Sequence, residues 1–291
     1  MYYLSNYTEA KSVSEASRLL KTIDDSVLIA GGTDVLIKLR NLDKKYSNKH
    51  LIGINTLNEL KNITIDDEFI HIGSLCTFDD IENNEIIKNN LTNLKMAAAL
   101  VGGPQIRNMA TIGGNICNGA TSADSASSLF ALDAILVIFN EDKQKEIAIS
   151  DFYLSAGVVK LEKGDILTSI KIPKKSYEGY ASKYIKFAQR NAMDIATIGV
   201  SVMLKSSDEK IIDLKLAYGV AAPTPIRAKE SEKLAKGLEL TKENIEKIAN
   251  NVLNETKARD SWRASKDFRN NLLTTLTKRA IYELIGKDYE N

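Results

Sequence analysis

Short apolar runs separated by polar turns dominate the first two-thirds of the chain, and a helical period replaces them towards the end. Ser12 to Lys21 reads as a helix, with Ala16, Leu19 and Leu20 gathering on one side. Val27 to Ala30 is a short strand that runs into Gly31-Gly32, and Thr33 to Arg40 reads as a helix opened by Thr33 and Asp34, residue types suited to an N-terminus. Leu51 to Ile54 is a further strand, and Ile63 to Ile65 with Phe69 to Ile72 predicts a hairpin around Asp66-Asp67. A helix from about Leu91 to Val101 precedes a stretch rich in glycine and asparagine, Gly102 to Gly119. Ala131 to Phe139 and Lys145 to Ile149 predict another hairpin, and Ile166 to Ile172 a strand that stops at Pro173.

Pro173 to Gly179 is the best domain boundary, which divides the chain into residues 1–175 and 176–291. Three strand-like runs follow it: Ser182 to Gln189, Ile195 to Leu204 and Ile211 to Val220. Three helical segments then close the chain. Thr241 caps one whose Ile245, Ile248, Ala249, Val252 and Leu253 fall at helical spacing. The last, from about Ser265, carries Phe268, Leu272, Leu276, Ile281 and Leu284 on one face. Strands first and helices last predict an α+β second domain.

Composition removes several function classes. The length of 291 residues suits two domains, and a net charge of +1 gives no basic field for nucleic acid or an anionic membrane. The longest apolar runs fall well short of the ~18–20 residues that span a bilayer. The start, MYYLSNYTEAKS, has neither a basic nor an apolar leader region, so the cytoplasm is the expected location. Cysteine is limited to Cys76 and Cys117 and histidine to His50 and His71, with no metal-ligand spacing among them. A cluster ligated by this chain alone, or a zinc site, is therefore not expected.

Two segments carry candidate chemistry. In Leu28-Ile29-Ala30-Gly31-Gly32-Thr33-Asp34-Val35 a strand enters paired glycines and then a helix N-terminus, an arrangement that can present several N–H groups to a phosphate. It is neither GxGxxG nor a Walker loop. Thr111-Ile112-Gly113-Gly114-Asn115 is the second, followed by small residues and hydroxyls as far as Asp124. Two such loops would grip a pyrophosphate from both sides. Asp124 either accepts a hydrogen bond from a ligand or caps a helix beginning near Ser125, and both roles can coexist. No Ser-His-Asp arrangement or other acid–base set is visible, so no catalytic side chain is assigned, and a redox cofactor would supply the chemistry.

At these residues the chain resembles a known family. AGGTDVL (Ala30 to Leu36) and ATIGGN (Ala110 to Asn115) resemble the FAD-binding subunits of molybdenum hydroxylases, which share a fold with vanillyl-alcohol oxidase-type flavoproteins. PQIRNMATIGGNICNGATSADSA (from Pro104), KFAQRNAMDIATIG (from Lys186), YGVAAPTPIRA (from Tyr218) and SWRASKDFR (from Ser261) are similar to the FAD subunits of bacterial xanthine dehydrogenases. The resemblance implies an α+β chain: a two-lobed FAD-binding domain, then a smaller domain with a three-stranded antiparallel sheet plus helices. It implies that Leu28 to Val35 and Thr111 to Asn115 hold the FAD pyrophosphate, and that Asp124 hydrogen-bonds the cofactor. Val101, Ile166 and Leu167 would pack along FAD, Lys186 would lie near the isoalloxazine, and Arg107-Asn108 would orient the second loop. FAD would be noncovalent. Electrons would arrive from molybdopterin and iron–sulfur clusters on two partner chains, a large and a small subunit, and leave to NAD as co-substrate. A self-sufficient FAD oxidoreductase of the same fold and a non-redox nucleotide-binding scaffold are the other readings.

Overall fold

The computed structural model describes residues 3–289, so Met1 and Tyr2, at the head of the segment read for a leader, lie outside the described residues. The first lobe is a three-stranded parallel sheet in the order Asn6–Glu9, His50–Gly53, Ser26–Ile29. Parallel neighbours need crossovers. Val13–Thr22 supplies one, its start fixed by Ser12, whose hydroxyl accepts the Glu15 N–H at 3.1 Å. Ala10, Ala16, Ile52, Leu57 and Leu60 fill the small core beneath it.

The second lobe is a five-stranded antiparallel sheet, ordered Ile63–Ile65, Phe69–Gly73, Ile166–Pro173, Ile135–Asn140, Lys143–Ala148. Both expected hairpins are its two outer pairs. The central strand carries a register shift between Leu167 and Ser169, and the Thr168 hydroxyl donates to the Val137 carbonyl at 3.1 Å. A bulge of this kind re-aims the side chains around it. Ala131 belongs instead to the preceding helix, Asp124–Ala131, whose side chains from Ser125 onward are all buried.

In the C-terminal part the strands Ala181–Phe187, Ile198–Ser207 and Lys210–Gly219 form the three expected antiparallel runs, and Ile226–Arg227 adds a fourth. The expected three-stranded sheet is corrected to four, since two residues after Pro225 leave no alternation to detect. Along Ile198–Ser207, Ile198, Val200, Val202 and Leu204 pack on the helices Lys229–Ala235, Lys242–Asn251 and Lys266–Leu284. Met203 and Ala217 face the other way and belong to the core of the five-stranded lobe. This sheet is covered on both faces, hence its near-continuous apolar runs.

Ionic groups bridge the same seam. Asp133 accepts from Lys215 Nζ at 2.7 Å and Arg227 Nη1 at 2.6 Å, and Arg227 also forks onto Glu232. Burial raises the Asp133 carboxyl, but the Arg227 and Lys215 charges outweigh it and hold the pKa below the ordinary value.

Several expectations shift. The second helix spans Val35–Arg40, and Asp34 makes no capping bond because its carboxylate pairs with Lys38 at 2.5 Å. Asp124 is the first residue of its helix rather than the cap, a position held by Ala123. The glycine-rich stretch contains two short helices, Pro104–Arg107 and Ile112–Cys117. Phe78–Asn83 and Glu85–Asn90 are further helices with no counterpart in the sequence reading. The Thr241-capped helix ends at Asn251, before Val252 and Leu253, which enter a 3₁₀ turn. Phe268 is 44% exposed at the last helix's start, stacked edge-on against Phe187. Among the described residues no helix is long and apolar enough to cross a membrane.

Candidate functional site

A cleft of about 680 Å³ opens where the parallel sheet meets the five-stranded sheet, a size typical of small-molecule sites at ~300–1,000 Å³. Leu28, Leu75, Val159, Leu161, Ile166 and Leu167 form its apolar wall. Of the eighteen residues expected to touch a cofactor, thirteen line it: Leu28, Ala30 to Val35, Thr111, Gly113 to Asn115, Ile166 and Leu167. Ile29 turns to the small cluster around Leu39 and Tyr46, and Ile112 to the main core.

The two glycine loops meet backbone to backbone. A Cβ on Gly31 would land on the Met109 carbonyl oxygen, so only glycine allows this approach. Gly32 has φ +73°, the left-handed region that side chains disfavour. Among the described residues, the N–H groups of Gly31, Gly32, Thr33 and Asp34 meet no protein acceptor. Unspent donors facing a cleft are what an anionic group needs.

The second loop is different. Ile112 N–H donates to the Cys76 carbonyl at 3.0 Å, Gly113 N–H to the Ser74 carbonyl at 2.8 Å, and Gly114 N–H to the Thr111 hydroxyl at 3.1 Å. With the Asn115 N–H on the Thr111 carbonyl at 3.0 Å, four donors of this loop are used inside the chain, so the expected grip from both sides has fewer open N–H groups here than at the first loop. What it presents instead is the bare surface of Gly114, beside Asn115, whose Oδ1 accepts from the Ser125 hydroxyl at 2.7 Å. Beside it the Ser74 hydroxyl is buried without a partner and lines the cleft. Arg107 pairs with Glu82 at 3.1 Å and ties the segment before the loop to Phe78–Asn83, while the Asn108 amide donates to the Pro104 carbonyl.

Asp124 and Lys186 form a second group at the seam, outside the cleft lining, and Val101 follows the Leu100 that this group reaches. Lys186 Nζ lies 2.8 Å from Asp124 Oδ2 and 3.0 Å from the Leu100 carbonyl, and the Tyr184 hydroxyl donates to Asp124 Oδ1 at 2.9 Å. Burial raises the Asp124 carboxyl in spite of the Lys186 charge. Alternation explains the grouping: Tyr184 and Lys186 are two apart on one strand and point to the same face.

Sequence reasoning missed Lys45, Tyr46, Asn118 and Lys163, which also line the cleft. Lys38 Nζ reaches Asn118 Oδ1 at 2.6 Å and stands 4.7 Å from the Tyr46 ring centre. Burial lowers the Lys38 pKa, yet Asp34 and Tyr46 carry it above its ordinary value. An adjoining hollow of about 430 Å³ shares Lys45, Tyr46 and Asn118. Lys44-Lys45-Tyr46 looks in sequence like a solvated turn, and only the fold brings it to the cleft.

The open donors, the glycine-only approach, the unpartnered Ser74 hydroxyl and the apolar wall fit an elongated cofactor with an anionic middle. Residues 3–175 match the model of the FAD binding domain in molybdopterin dehydrogenase, and residues 183–284 that of the CO dehydrogenase flavoprotein C-terminal domain. The chain is 41% identical over 287 residues to a xanthine dehydrogenase FAD-binding subunit of Escherichia coli O157:H7, covering 98% of each chain. It is 31% identical to the glyceraldehyde dehydrogenase medium chain of Sulfolobus acidocaldarius, covering 96% of this chain and 98% of that one. A carbon monoxide dehydrogenase chain of Hydrogenophaga pseudoflava superposes with a TM-score of 0.92 at 27% identity, over 98% of this chain and 99% of that one. The chain therefore belongs to the FAD-binding subunits of the molybdenum hydroxylase family.

Proposed function

We propose that this chain is the FAD-binding electron-transfer subunit of a xanthine dehydrogenase-type hydroxylase, with NAD⁺ as the final acceptor. The carrying observation is the 41% identity to a xanthine dehydrogenase FAD-binding subunit over 98% of both chains. A molybdopterin-binding large subunit and an iron–sulfur small subunit are its partners, in the cytoplasm. Residues 1–175 form the cofactor domain and 176–291 the second domain.

FAD, when bound, accepts electrons from one-electron carriers and releases them to NAD⁺ as a hydride. The N–H groups of Gly31 to Asp34 hold its pyrophosphate, and Gly114 lets that group lie close to the second loop. Ile166 and Leu167 wall the cleft and exclude water. Val101, Asp124 and Lys186 orient the ring end, where Lys186 holds a positive charge against the Asp124 carboxylate. Noncovalent attachment is part of this reading: neither His50 nor His71 lines the cleft, and burial pushes the Cys117 thiol up to about 12.

The test is purified chain loaded with FAD. It reduces a dye with NADH, is inert to purines, and gains purine-dependent NAD⁺ reduction when the two partner subunits are added. Purine oxidation by the chain alone would identify a self-sufficient flavoenzyme instead.

A further inference from the structure

The chain has one tryptophan, and its placement is unusual. Trp262 is 79% exposed, the highest value among the large exposed apolar side chains. It sits with Arg263 at the tip of a tight turn closed by two bonds, Ser261 N–H to the Ala264 carbonyl at 3.0 Å and the reverse at 3.2 Å. The Arg263 guanidinium stacks on the indole, 4.2 Å from the ring centre. The stacked pair stands at the tip of the turn as an exposed aromatic surface.

The charge around this turn is not balanced. Arg259 and Arg263 stand close enough to Arg269 to lower its pKa, after burial as the larger cause, and Asp260 is the opposing carboxylate. Arg269 itself is buried beneath the turn, donating 2.7 Å to the Ser261 hydroxyl and also to the Thr197 carbonyl at 2.5 Å, while its Nε has no partner. The Thr197 hydroxyl beside it is buried and unpartnered too. Like-charged groups held together destabilise the free protein unless an anion joins them.

The turn also has an address. Gln189 Nε2 donates to the Arg263 carbonyl at 3.3 Å, and residue 189 lies three positions beyond Lys186 in the segment that leaves that strand. Met193 of the same segment donates its N–H to the Gly102 carbonyl, beside Val101. The arginine-rich turn is thus one loop away from the Asp124–Lys186 group assigned to the flavin ring end.

We propose that Trp262 and Arg263, with Arg259, form the recognition surface for the pyridine dinucleotide acceptor. The indole stacks on the adenine and the guanidinium groups take the diphosphate. An aromatic plate beside unbalanced arginines suits a ligand that is planar at one end and anionic in the middle. This rests on the acceptor reading above.

The experiment uses the full chain loaded with FAD. NADH or ADP-ribose added to it quenches the emission of the single tryptophan, and inorganic diphosphate competes. In the NADH–dye assay, Trp262→Ala and Arg263→Gln each raise the KM for NADH about tenfold, the scale of one lost stacking or charged contact, with kcat little changed. Trp262→Phe restores much of the affinity. If the wild type does not oxidise NADH, the acceptor reading fails and this proposal falls with it. If it does, and both variants keep the wild-type KM, the acceptor reading stands and the proposal is overturned. Weakened assembly with the partner subunits at an unchanged KM would likewise overturn it and mark the turn as a subunit contact.

Discussion

The two Gly-Gly pairs look alike in sequence and behave differently in the fold. Gly31-Gly32 lies in an open loop, with φ +73° at the second glycine and N–H groups that find no acceptor among the described residues. Gly113-Gly114 lies inside the helix Ile112–Cys117, with ordinary φ and its donors spent on Ser74 and Thr111. The same dipeptide thus leaves its donors open beside the cleft in one place and is packed against the chain in the other. What separates them is the neighbour: the second pair docks on the Ser74 carbonyl, where a Cβ at Gly113 would come within 2.6 Å.

Side chains placed at these glycines grade the difference. Gly31→Val has the largest expected effect, because its Cβ meets the Met109 carbonyl and that backbone cannot yield cheaply. It destabilises the protein by about 3 kcal/mol, the upper end of overpacking effects, and abolishes flavin retention. The flavin-to-protein absorbance ratio after gel filtration, with a thermal melt, reads both; wild-type occupancy would sink the loop assignment.

Gly32→Val acts next, through a strained φ rather than a clash with backbone, at roughly 1–3 kcal/mol. Flavin binding weakens tens-fold in a titration of apoprotein, while the apoprotein itself melts close to the wild type. Gly114→Ala is the mildest. Its φ suits alanine and its near neighbour is the Thr111 hydroxyl at 2.9 Å, so affinity changes by about threefold or less, the helix gain of ~0.5–1 kcal/mol offsetting the crowding. Equal losses from Gly32→Val and Gly114→Ala would erase the contrast between the loops.

How much of this was legible in sequence follows from element length and partner. Ile198–Ser207 and Lys210–Gly219 declare themselves by long apolar runs, and Val13–Thr22 by a cap and a one-sided stripe. The helix Ile112–Cys117 does not, since a run of six residues with two glycines has poor helix propensity and is held by tertiary bonds to Ser74 and Cys76. Gly31 and Gly113 were legible as glycines that matter, but not which of them keeps free donors. Asp124 and Lys186 lie 62 positions apart, and only the pairing of Ala181–Phe187 with Ile198–Ser207, the strand that packs on the helix Asp124–Ala131, brings them together. Lys45 and Tyr46 had no signal beyond a charged turn.

The doubly covered C-terminal sheet bears on how the chain is made. The helix Asp124–Ala131 has no exposed side once folded, and part of its cover is the strands Ile198–Ser207 and Lys210–Gly219. During synthesis that cover does not exist until Gly219 has emerged, several seconds after the helix at ~5–20 residues per second. Through that interval the nascent N-terminal lobe holds an unfinished apolar face, so its maturation waits on translation of the second domain.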